Sequence, residues 1–137
     1  MQPIILDTCA AVWLAEGEEM ATAAMAALSA ASEGGSHTYV SPITAWEIGL
    51  LASRDRLQML ATPQRWFARL LGLPGMRLAE MSPDLLIASS FLPGKPPRDP
   101  ADRIIVATAR DLGATLITRD KALIDYGKQG HVKVVVC

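Results

Sequence analysis

The stretch Arg98–Asp120, RDPADRIIVATARDLGATLITRD, carries a helix into a strand and sets acids at both ends. Asp99 suits a helix N-cap, because its side chain can accept a hydrogen bond from an otherwise unpaired backbone N–H. Pro100 fits the first helical position, where its missing N–H is no loss, and Asp102 falls in the first turn, where the helix dipole favours negative charge. Ala101, Ile104, Ile105, Thr108, Ala109 and Leu112 then recur with the spacing of one buried helix face, and Gly113 ends the helix. TLIT reads as a strand that runs out beside Asp120.

The same grammar repeats on either side. QPIIL is a short strand ending at Asp7, followed by a helix from about Thr8 and a longer Ala- and Met-rich helix from about Glu18 to Ser32, closed by Gly34 and Gly35. HTYV is a second strand, and Ser41–Pro42 repeats the cap-plus-proline device ahead of ITAWEIGLLA. Thr62–Pro63 and Ser82–Pro83 open two further helices, with the strand-like MRLAEM between them, while KALIDYG and VKVVV supply a last helix and strand.

Strands alternating with helices specify an α/β fold, a mostly parallel central sheet with helices on both faces. Such sheets bind ligands outside the carboxyl ends of their strands, which is also where each following helix begins. Asp7, Asp99, Asp102 and Asp120 are therefore expected to face one crevice.

With 137 residues, half of them hydrophobic, the chain suits a single domain over residues 1–137. The first residues lack a basic segment, and Asp7 interrupts their apolar run. Neither a signal peptide nor a membrane span is expected, and a cytoplasmic location follows. A net charge of −1 argues against nucleic-acid binding by bulk positive charge. The charge is uneven, however: no Lys or Arg precedes Arg54, and Lys95, Arg98, Arg103, Arg119 and Lys121 cluster in sequence around the acids, as a solvated surface or a cradle for phosphates. Cys9 and Cys137 have no metal-ligand spacing; Cys9 reads as a small core residue and Cys137 as one without a role.

Glu47 is the informative oddity. The helix from Pro42 is expected to bury Ile43, Trp46, Glu47, Leu50 and Leu51, which sets a carboxylate inside an apolar face. A buried charge needs compensation, from a salt bridge, from a hydrogen bond to Ser41 or Thr44, or from a cation shared with Asp7, Asp102 and Asp120. Carboxylates with nearby hydroxyls (Thr8, Ser41, Thr118) favour a hard ion such as Mg²⁺ or Mn²⁺, since His37 and His131 read as surface residues.

ILDTCAAVWL, VSPITAWEIGLL, RDPADRIIVATA and LITRD, in that order, resemble PIN-domain proteins, and most closely the VapC-type toxins of bacterial toxin–antitoxin pairs. The resemblance spans nearly the whole chain. It implies a three-layer α/β/α fold and a metal-dependent endoribonuclease. Its catalytic and metal-binding acids would be Asp7, Glu47, Asp102 and Asp120, with Asp7 and Asp102 as principal ligands of Mg²⁺ or Mn²⁺. Asp99, Thr118, Thr8 and Ser41 would support them, and Arg98, Arg103 and Arg119 would grip RNA phosphates. It also implies a homodimer held inactive by a small antitoxin; the helix from about Glu18 to Ser32, with Met20, Ala24, Met25, Ala27, Leu28 and Ala31, reads as a plain core helix or, with the resemblance, as part of a groove for an amphipathic antitoxin helix. Two other readings stand beside it: a phosphoryl-transfer domain using Asp7, and a catalytically silent binding module of the same fold. The region around Trp66 and LPGKPP gives no reading of the substrate.

Overall fold

A computed structural model describes residues 2–57 and 61–137. In chain order the elements are β1 (Ile4–Leu6), α1 (Thr8–Ala15), α2 (Thr22–Glu33), β2 (Thr38–Val40), α3 (Pro42–Ser53), α4 (Pro63–Leu71), β3 (Met76–Leu78), α5 (Pro83–Ala88), α6 (Pro100–Leu112), β4 (Thr115–Thr118), α7 (Lys121–Lys128) and β5 (Lys133–Val136). The strands form one sheet in the order β3-β2-β1-β4-β5, and every pairing is parallel. The chain winds outward from β1 to β3, then returns through α5 and α6 to lay β4 on the other flank of β1. That reversal makes a topological switch point at the carboxyl ends of β1 and β4, the place where such sheets bind ligands.

Strand alternation sorts the core into two layers. Ile4, Leu6, Val40 and Ile117 pack with Ala10, Ala24, Ile48, Trp66 and Leu70 on the side of α1, α2 and α4. Ile5 and Leu116 face the other way, onto Ile105 and Val106 of α6 and Leu123 and Tyr126 of α7. The sheet is thus sandwiched between helices, as the alternation requires. Trp66 belongs to this packing.

The caps stand where local chemistry puts them. Side chains of Asp7, Ser41, Thr62, Ser82, Asp99 and Asp120 accept backbone N–H groups at the starts of α1, α3, α4, α5, α6 and α7, and four of those helices open with proline. Gly113 ends α6 in the left-handed conformation, φ 62°, which favours a residue without a Cβ.

Several expectations fail for tertiary reasons. α2 begins at Thr22 rather than near Glu18, because the N–H groups of Gly17 and Glu18 turn back onto the carbonyls of Leu14 and Trp13 to close α1. MRLAEM contributes a strand only over Met76–Leu78. On α3 the buried residues are Thr44 and Ile48, while Trp46 is 58% exposed and Glu47, Leu50 and Leu51 are half-buried. That helix packs against α1, α4 and α6, which sets its buried face on Thr44 and Ile48 and away from Trp46. α6, packed against β1, β4, α3 and α5, buries Val106 and Ala107 beyond its expected stripe, while Ile104 and Leu112 stay half-buried. Cys9 is exposed rather than core, whereas Cys137 is buried among the α1–α2 layer. His37 and His131 are half-buried, His131 against the ring of Tyr126.

Candidate active site

Asp7 is the first residue beyond β1, and its N–H donates to the carbonyl of Ile117 at 3.2 Å, tying it to β4. Its carboxylate is only 4% exposed. Oδ1 accepts the N–H of Ala10 at 2.7 Å, and Oδ2 accepts the hydroxyl of Thr118. Thr118, the fully buried last residue of β4, also accepts the N–H of Asp120 at 3.0 Å. One hydroxyl therefore fixes the spacing between two acids on neighbouring strand ends.

Asp120 caps α7, accepting the N–H of Leu123 at 3.1 Å, and is otherwise exposed. Asp99 caps α6 by accepting the N–H of Asp102 at 3.0 Å, and Asp102 lies half-buried one turn inside. Glu47, in the second turn of α3, accepts the hydroxyl of Thr8 at 2.5 Å, and Thr8 Oγ1 lies 3.0 Å from Thr44 Oγ1. Ser41 is buried and spends its hydroxyl oxygen on the N–H of Ile43, a capping role.

The electrostatics show that these acids share one field. The carboxyl of Asp102 is raised from 3.8 to about 7, first by burial and then by Asp99, Asp120, Glu47 and Asp7. Burial also raises Asp7, against the opposing hydrogen bonds from Thr118 and Ala10, and Asp120 pushes it further. Glu47 rises by burial, opposed by Thr8 and aided by Asp99 and Asp7. Among the described residues no Lys, Arg or His forms an ion pair with any of them; the ion pair present joins Lys121 to Asp125 at 3.9 Å on the surface of α7. Glu47 is thus compensated by a hydroxyl and not by a salt bridge.

Among the described residues no three carboxylate, imidazole or thiol groups stand close enough together to hold a metal ion as they are. The reason is visible in their partners: Asp99 and Asp120 are drawn back onto helix N-termini, and Glu47 is drawn toward α1. The donor set nevertheless suits a hard cation, being all oxygen, mutually repelling and without a basic neighbour in ion-pair contact.

The cations scatter. The guanidinium of Arg119 stacks 3.6 Å from the centroid of the Trp13 ring and donates to the carbonyl of Cys137 at 3.1 Å, at the rim beside Asp7. Arg98 is exposed and Arg103 half-buried next to the acids of α6. Lys95 does not join them: its backbone pairs with the side chain of Gln129, beyond the far end of α7 from Asp120. Sequence reasoning gave Thr44 no more than a possible capping bond and gave Trp13 no role. Thr44 carried a signal in its spacing, three residues before Glu47.

The sequence matches the PIN domain family over residues 4–129, a span that includes all four acids. Ribonuclease VapC22 of Mycobacterium tuberculosis is 32% identical over 124 residues, covering 90% of this chain and 91% of that protein. Among solved structures, VapBC2 from Rickettsia felis, bound to a DNA fragment from their promoter, superposes with TM-score 0.68 at 13% identity and 98% coverage of each chain. FitAcB from Neisseria gonorrhoeae superposes with TM-score 0.55 at 19% identity, covering 96% of this chain and 95% of that one. The structural likenesses carry the fold, and the family match and the ribonuclease relative carry the kinship: this chain is a PIN-domain protein, homologous to the VapC-type ribonucleases.

Proposed function

We propose that this protein is a metal-dependent endoribonuclease, a single PIN domain that hydrolyses RNA phosphodiester bonds as the toxin of a toxin–antitoxin pair. The observation that carries the reading is the acid cluster itself: Asp102, half-buried at the head of α6, has its carboxyl raised to about 7 by burial first and then by four other carboxylates, with no basic ion-pair partner among the described residues. Asp7, Glu47, Asp102 and Asp120 are the proposed ligands. They would hold Mg²⁺ or Mn²⁺, which would supply positive charge at the scissile phosphate and acidify a water. The chain's own part is positional. Ala10 and Thr118 each take one lone pair of Asp7, leaving its other lone pairs for the site. Asp99 and Thr118 hold the backbone on which Asp102 and Asp120 sit. Arg119, anchored on Trp13, and the neighbouring Arg98 and Arg103 are the proposed phosphate contacts, which position RNA without reading its sequence.

A phosphoryl-transfer role for Asp7 fits less well, because the residue two positions on is Cys9 and not a second acid to serve the leaving group. A silent binding module has no need of so costly a cluster of acids.

The proposed partner is a small antitoxin; the Rickettsia felis relative was solved as a VapBC complex. A groove of about 330 Å³ between α2 and the turn before β3, lined by Leu14, Met25, Leu28, Leu73 and Met76, is the proposed seat for an amphipathic antitoxin helix. Homodimerisation and a cytoplasmic location complete the proposal; among the described residues no helix is long and apolar enough to cross a membrane. The test is incubation of purified protein with total cellular RNA, with and without Mn²⁺, followed by mapping of new 5′ ends. Metal-dependent ends that vanish in Asp7→Asn support the reading. Intact RNA overturns it, and a phosphoenzyme trapped on Asp7 would favour the phosphoryl-transfer alternative.

A further inference from the structure

The acids of the crevice are not all held in the same way. Asp7, Asp99 and Asp120 are fixed by backbone N–H groups at helix starts. Glu47 sits in the second turn of α3, beyond that helix's own free N–H groups, so its orientation needs another source.

That source is a chain of two hydroxyls. Thr8 Oγ1 lies 2.5 Å from Glu47 Oε1 and 3.0 Å from Thr44 Oγ1. A threonine hydroxyl has a single hydrogen. At 2.5 Å from a carboxylate oxygen the Thr8 hydrogen is given to Glu47, so the second contact is made by the hydrogen of Thr44 to a lone pair of Thr8. Thr44 is fully buried, and β-branching restricts both threonines at χ1, so the chain has one direction and little freedom. It also bridges α1 to α3, and so fixes the distance between the helix that follows Asp7 and the helix that carries Glu47.

We infer that Thr44 is a positioning residue of the site, aiming the Thr8 hydroxyl and through it the Glu47 carboxylate. The inference rests on the metal-dependent ribonuclease reading of that site. Thr44 touches neither metal nor RNA; it acts through Thr8.

The test is Mn²⁺ binding by isothermal titration calorimetry, beside melting in EDTA and RNA cleavage. Thr44→Val keeps the shape and deletes the hydroxyl, and the loss of one neutral hydrogen bond is expected to weaken Mn²⁺ binding by about three- to tenfold. Thr44→Ser restores the hydroxyl and should bind within about twofold of the wild type. In a Glu47→Ala background Thr44→Val should weaken binding no further, since a residue acting through the Glu47 side chain has nothing left to aim. If Thr44→Val does not fold, Thr44→Ala takes its place. Unchanged Mn²⁺ affinity in Thr44→Val, a Thr44→Ser variant as weak as Thr44→Val, or full additivity with Glu47→Ala overturns the inference alone. Wild-type protein that binds no Mn²⁺ and cuts no RNA overturns the site itself, and the inference with it.

Discussion

Thr118 donates its hydroxyl hydrogen to Oδ2 of Asp7 and accepts the N–H of Asp120, so one buried side chain on β4 holds the acid after β1 and the acid before α7 in register. Thr118→Val removes both bonds inside the core. It is expected to destabilise the fold by about 1–3 kcal/mol and to weaken Mn²⁺ binding, whereas Thr118→Ser stays near the wild type. Urea denaturation and metal titration of the two variants check this; equal stabilities would show that the hydroxyl carries no structural role.

The two principal acids are expected to respond differently to amidation. Asp7→Asn and Asp102→Asn should both abolish RNA cleavage. Asp7, raised by burial against the bonds from Thr118 and Ala10, sheds that cost as an amide but sets an N–H2 group against one donor, so it melts near the wild type. Asp102 carries the cost of burial and the repulsion of four other carboxylates, so its amide sheds both and melts at or above the wild type in EDTA at pH 8. Cleavage at the wild-type rate by either variant removes that acid from the site.

Stability of the metal-free protein should fall as pH rises. The folded carboxyl of Asp102 titrates at about 7 against 3.8 for its ordinary value, so between those limits the folded chain holds a proton that the unfolded chain has lost. Its contribution is therefore fully present below pH 4, declines through the window and is gone above about 7. Asp7 and Glu47, raised in the same sense, add to the slope. Melting in EDTA from pH 5 to pH 8.5 measures it, and Asp102→Asn should flatten the profile; an unchanged slope would locate the proton elsewhere.

Met25, 47% exposed at the lip of the groove beside α2, offers an adaptable apolar surface with little part in the core. Met25→Glu should fold normally and bind the cognate antitoxin more weakly, and Leu28→Ala should do so to a smaller degree. Both variants binding with unchanged affinity would place the antitoxin on another face.

The parts of this molecule legible in its sequence are those set by neighbours along the chain. Asp99, Pro100 and Gly113 define α6 because caps act over three or four residues, and Asp7 and Asp120 fall at strand ends because a parallel sheet puts them there. The buried stripe of α3 is not legible, because apolar character does not say which side a neighbouring helix covers: Trp46 faces out, and Thr44 takes the buried place. Glu18 was assigned to a helix that closing turns had already consumed, and Cys9 to a core it does not enter. The role of Thr44 was hidden for the same reason, since its partner Thr8 lies 36 residues away on another helix.

The order of strands also sets when the protein can first act. Its acids arise after β1, on α3, at the head of α6 and after β4, and β4 is seated between β1 and β5 near the end of the chain. A chain still emerging from the ribosome holds Asp7 and Glu47 but has neither Thr118 to brace them nor Asp120 to complete the set. On the proposed assignment, a chain that stops short of Thr118 lacks both the hydroxyl that braces Asp7 and the last acid of the set, and is expected to bind no Mn²⁺.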